Sequence, residues 1–141
     1  MKSLMTVPVA AVLALASMHA SADDTRMVGV VFDKGADTIE IADEVQADES
    51  VMYRLRAKEG QVLSVSLRPL DENTEFILYG PGKWPGEELH SSATDGRYDY
   101  RGQCRREGPY AVLVSRTPAS AGREDEAARF ELVLVLQDVD D

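Results

Sequence analysis

Residues 107–116 read Glu107-Gly108-Pro109-Tyr110-Ala111-Val112-Leu113-Val114-Ser115-Arg116. Tyr110, Val112 and Val114 alternate with Ala111, Leu113 and Ser115, the two-residue period of a β-strand, and a Gly-Pro pair marks the turn that feeds it. Beyond Arg116 the chain passes into Thr117-Pro118-Ala119-Ser120-Ala121-Gly122-Arg123, small and polar residues that belong on a surface. A second apolar run follows from Phe130 to Leu136, with Phe130, Leu132, Leu134 and Leu136 on one face. The two runs read as neighbouring strands joined by a small-residue hairpin loop, with Arg116 and Arg123 flanking it.

Working outward, the same period recurs. Met27 to Phe32 is a short apolar strand, and Thr38 to Ile41 sets Ile39 and Ile41 on one face. Ser50 to Ala57 alternates Val51, Tyr53 and Leu55 against Met52, Arg54 and Arg56. Val62 to Leu67 answers it across a Lys58-Glu59-Gly60-Gln61 turn, so these two runs are expected to form a hairpin. Glu75 to Tyr79 and Arg97 to Tyr100 are two further short strands. Lys83 to Gly96 has no periodicity and reads as a long loop, and the Glu-Asp-Glu-Ala-Ala of residues 124–128 suits one helical turn. Seven or eight short strands without an amphipathic helix predict an all-β fold, a single antiparallel β-sandwich. Its expected core includes Tyr53, Leu55, Leu63, Val65, Leu113, Phe130, Leu132 and Leu134.

The 141 residues suffice for one domain. Residues 1–22 have the form of a cleavable signal peptide: Lys2, an apolar stretch from Leu4 to Ala16, then Ala20-Ser21-Ala22 before Asp23-Asp24. About 13 apolar residues fall short of the roughly 20 that a membrane-spanning helix needs. The expected mature domain is therefore 23–141, exported and not inserted in the membrane. Removing residues 1–22 takes away one lysine and no acid, leaving 14 basic against 25 acidic side chains, a net charge of −11. That surface repels nucleic acid and favours basic partners. The single Cys104 has no internal partner, so it is either buried, capped, or the route to a covalent homodimer.

Little in the chain points to chemistry. His90 is the one histidine of the mature sequence and sits in the Trp84 loop, and no Gly-x-Ser-x-Gly elbow accompanies it. Glu87-Glu88 and Glu124-Asp125-Glu126 read as solvated loop charges rather than a glycosidase pair. Zinc would require cysteine and histidine at short spacing. Asp95-Gly96-Arg97-Tyr98-Asp99 lacks the alternating acids of a calcium loop, and Gly80-Pro81-Gly82 lacks the lysine of a phosphate loop. The expectation is a protein with no catalytic residue, cofactor or metal that works by binding through its loops. Guanidinium forks suit carboxylate partners, and an aromatic platform around Trp84 would suit a glycan.

The matching pieces Val31-Phe32-Asp33-Lys34-Gly35, Tyr53-Arg54-Leu55-Arg56-Ala57-Lys58-Glu59-Gly60-Gln61, Leu78-Tyr79-Gly80-Pro81-Gly82, Glu107-Gly108-Pro109-Tyr110 and Leu113-Val114-Ser115-Arg116 occur in order along nearly all of the mature chain. In them the chain resembles the periplasmic inhibitors of g-type lysozyme and, more distantly, those of i-type lysozyme. The middle pieces also resemble β-sandwich domains of the pre-peptidase C-terminal type. The inhibitor pattern has Ser-Gly-x-Tyr entering the penultimate strand and an Arg-Asn-x-x-Arg-like loop leaving it. Here Glu107 stands for the serine, Gly108 and Tyr110 match, Arg116 matches the first arginine, Thr117-Pro118 replaces the asparagine, and Arg123 follows after extra residues. The resemblance implies a periplasmic β-sandwich whose loops enter a lysozyme cleft, with Arg116, Arg123, Thr117 and Tyr110 as partner-binding residues. The alternative it leaves is a non-catalytic envelope domain that binds a protein or glycan.

Overall fold

The computed structural model describes residues 25–46, 49–70, 74–117 and 127–139. The signal-peptide reading of residues 1–22, Arg123 and the acidic part of the helical-turn reading lie outside them. Among the described residues the chain forms β1 (Thr25–Gly29), β2 (Thr38–Gln46), β3 (Ser50–Ala57), β4 (Val62–Pro69), β5 (Thr74–Gly80), β6 (Glu87–Ser91), a single helical turn α1 (Ser92–Asp95), β7 (Asp99–Gln103), β8 (Gly108–Arg116) and β9 (Ala127–Gln137). They make two sheets, one in the order β1-β3-β8-β5-β6 and one in the order β2-β9-β4-β7. Every pairing is antiparallel except β1 with β3. The chain is thus an all-β sandwich, as the alternation predicts.

The core lies between the sheets and is built by that alternation. Val51, Tyr53 and Leu55 of β3, Phe76 and Leu78 of β5, and Tyr110, Val112 and Val114 of β8 face Leu63, Val65 and Leu67 of β4 and Phe130, Leu132 and Leu134 of β9. Tyr53 and Phe130 meet edge to face, their ring centroids 6.5 Å apart.

Four expectations are corrected. Strands β3 and β4 are no hairpin, because β3 pairs with β1 and β8 in one sheet while β4 pairs with β7 and β9 in the other. The Lys58–Gln61 turn carries the chain across the sandwich. Strands β8 and β9 likewise belong to different sheets, so the connection holding Arg123 is a crossing between layers and not a hairpin loop. Two half-buried strands that turn their apolar faces toward each other carry the same alternation as two that pair side by side. Within the expected long loop, β6 and α1 are ordered structure. Strand β6 bonds only to β5 at the sheet edge and exposes Glu87, Glu88 and Leu89, so it shows no apolar period. Leu113 is half-buried on the outer face, since Val112 and Val114 take the inner one.

Candidate partner-binding surface

Strand β8 runs the length of the sandwich and separates the residues that the resemblance brings together. Tyr110 lies near its start and Arg116 at its end, and six residues of extended chain put them roughly 20 Å apart. They mark opposite ends of the molecule.

At the Arg116 end, β8 continues in register to its last residue, with Arg116 opposite Thr74 of β5. The Arg116 side chain is only 5 % exposed, so it is a buried cation and not the surface-loop arginine that composition predicts. Thr117 follows half-buried at the root of the connection to β9. The same end carries a charge network joining three strands and the chain just before β3. Arg26 of β1 donates from Nε to Glu49 at 2.8 Å and from Nη2 to the Glu44 carbonyl at 2.8 Å, and it lies 3.4 Å from the Asp43 carboxylate. Tyr53 donates its phenol proton to Asp43 Oδ2 at 2.5 Å. Burial opposes the Arg26 charge, yet Asp43 and Glu49 outweigh it and hold the guanidinium above its ordinary pKa. Burial, reinforced by Asp43, pushes the Tyr53 phenol well up.

At the opposite end the turns between β5 and β6 and between β7 and β8 are clasped together. The Tyr110 phenol donates to the Arg106 carbonyl at 2.7 Å, so its ring braces the turn that leads into its own strand. The Arg106 guanidinium in turn donates to the Pro81 carbonyl and lies 3.4 Å from the Glu87 carboxylate. Gly108, at φ 148°, packs so close to Pro81 that a Cβ there would sit 3.2 Å from Pro81 Cγ. Gly86, at φ 132°, lies against the Gly80 carbonyl, where a Cβ would collide with the backbone. Beside this clasp is a cleft of about 250 Å³ lined by Pro81, Glu87, Leu89, Tyr100, Cys104, Arg106 and Tyr110 among others.

Cys104 forms the floor of that end. At 4 % exposure its thiol is buried; burial pushes the thiol pKa up, while the Tyr110 phenol pulls against that rise. This burial is the first of the fates the sequence leaves open, and it removes the exposed thiol that a covalent dimer through Cys104 needs. Burial first, then the thiol beside it, pushes the Tyr110 phenol up to about 12.

His90 is also inside rather than on a surface loop. Its ring lies against Phe76 and Tyr100, with Nε2 3.0 Å from the Arg97 carbonyl and Nδ1 3.3 Å from Asp95. Asp95 is thereby turned toward His90. Among the described residues no group of three or more histidine, cysteine or acidic side chains is arranged to hold a metal ion. A residue that sequence reading does not single out is Arg106, which holds this clasp together. No local pattern links it to Pro81, which is 25 positions away and meets it only through the fold.

No protein-family model and no curated protein sequence matches the chain. Solved structures do. A periplasmic lysozyme inhibitor of g-type lysozyme from Aeromonas hydrophila, PliG, is 29 % identical with a TM-score of 0.72, over 82 % of this chain and 100 % of its own. The Salmonella Typhimurium PliG is 26 % identical with a TM-score of 0.58, over 79 % of this chain and 97 % of its own. A pre-peptidase C-terminal domain of a Bacillus anthracis collagenase shares the fold alone, at 9 % identity and a TM-score of 0.53 over 82 % of this chain and 99 % of its own. In fold and in sequence alike, the chain resembles the periplasmic inhibitors of g-type lysozyme, proteins that are inhibitors and not enzymes.

Proposed function

We propose that this chain is an exported inhibitor, freed of residues 1–22, that seats one end of its sandwich in the cleft of a g-type lysozyme and blocks access to the cell wall. The observation that carries the reading is the likeness to two g-type lysozyme inhibitors, over 82 % and 79 % of the chain. The end assigned to the contact is the one bearing Tyr110. Its turns are exposed and pre-ordered, which lowers the entropy lost on docking, whereas Arg116 is buried at the far end. Tyr110 then acts as a brace from within, and Arg116 and Thr117 root the connection between β8 and β9 at the far end. A clearing assay on cell-wall substrate tests the reading with lysozymes of the c, g and i types. The expected outcome is slowed clearing by the g-type enzyme; unchanged clearing by all three would overturn it.

A further inference from the structure

The largest exposed aromatic side chain of the described residues is Trp84, 66 % exposed on the turn between β5 and β6. An isolated indole in water gains nothing for folding, and burying it against a partner removes a large apolar area. Its turn is fixed at both roots. Arg106 grips the Pro81 carbonyl on one side, and on the other Gly86 fits against Gly80 in a conformation that a side chain would block. An exposed tryptophan on a turn held at both roots, among polar side chains, has the anatomy of a binding hot spot. Exposed Lys83, Glu87 and Glu88 on its own turn and the start of β6, and Arg105, Arg106 and Glu107 on the turn clasped to it, balance in charge, against a body that is strongly acidic overall.

We propose that Trp84 is the side chain with which this end anchors in the lysozyme, and that Arg106 is a positioning residue that holds the Trp84 turn in its binding conformation. The proposal rests on the inhibitory reading above. A cleft that binds sugar rings offers flat apolar walls edged with hydrogen-bonding groups, and an indole presents a flat face and a single N–H donor to such walls. A glycan-binding platform is the competing use of an exposed tryptophan. It is less well served, because Trp84 does not line the neighbouring cleft, and an aromatic standing clear of a cleft is placed to enter a partner rather than to receive one.

Trp84 is the only tryptophan of the chain, so 5-fluorotryptophan labelling gives one fluorine signal that reports this residue alone. The full mature protein is titrated with a g-type lysozyme and, separately, with soluble chitooligosaccharide, while inhibition is measured for the parent, Trp84→Ala, Trp84→Phe, Arg106→Gln and Arg106→Lys. The expected result has four parts: a fluorine shift with lysozyme and none with the sugar, inhibition weakened about 30-fold or more by Trp84→Ala at unchanged melting temperature, partial retention in Trp84→Phe, and a displaced free-state fluorine signal in Arg106→Gln that Arg106→Lys restores. A parent that inhibits while Trp84→Ala inhibits equally well, with no fluorine shift, overturns the proposal and leaves the inhibitory reading standing. A shift with the sugar alone overturns it in favour of a glycan platform. If the parent inhibits no lysozyme, the inhibitory reading fails and takes this proposal with it.

Discussion

Arg116 brings a guanidinium to the inner end of β8, and that location governs what its loss does. Arg116→Ala removes a long aliphatic stem from a packed position, so it should cost about 2 kcal/mol of stability, read from a denaturant midpoint. Any loss of inhibition should then follow the fraction unfolded. A variant as stable as the parent that has lost inhibition would return Arg116 to the contact surface. Its burial was not legible in the sequence, because Val114-Ser115-Arg116 followed by Thr117-Pro118 fits a strand ending one residue earlier as well as one whose last side chain points inward. Tyr110 was more legible. A tyrosine two residues beyond a glycine at a strand entrance has few places to send its hydroxyl, and the nearby carbonyl of Arg106 takes it.

At the scale of the element, β8 decides which side chains meet in the core. Val112 and Val114 are fully buried while Leu113 between them is half-buried. Val114→Ala should therefore cost about 2 kcal/mol, combining lost transfer energy with the cavity left behind, and Leu113→Ala about 1 kcal/mol, both from chemical denaturation. A reversed order would mean that β8 presents its other face. The strands themselves were readable because period-two alternation depends only on one face being buried. Sheet membership was not, since a strand's partner depends on how connections cross the sandwich, and the turns at Lys58–Gln61 and beyond Arg116 carry no signature that tells a crossing from a hairpin. The edge strand β6 escaped for a different reason: with three of its five residues exposed, it has no inner face to betray it.

The whole molecule combines an acidic surface with two phenols held neutral inside. Burial pushes the Tyr110 phenol up to about 12 and the Tyr53 phenol well above its ordinary value. For an acid whose folded pKa is raised, the stabilisation is complete below the unfolded value of about 10 and is lost as pH rises through the folded value. Stability should therefore begin to fall above the ordinary thiol value of about 8.5, where burial keeps the Cys104 thiol from ionising, and fall further above about 10; Tyr110→Phe should flatten the second part of that fall, and a midpoint unchanged between pH 10 and 12 would contradict this. Under the proposed function, the chain's net charge of −10 would favour encounter with a basic lysozyme, so association should slow as salt rises toward and beyond about 0.15 M, where screening is felt within about 8 Å. The central claim, inhibition, is tested most directly by titrating the purified mature chain into a g-type lysozyme at fixed concentration and following cell-wall clearing at low salt. The structure and its likeness to the two inhibitors predict a lytic rate that falls linearly to near zero at one inhibitor per enzyme. An undiminished rate at a tenfold excess of the folded protein would contradict it.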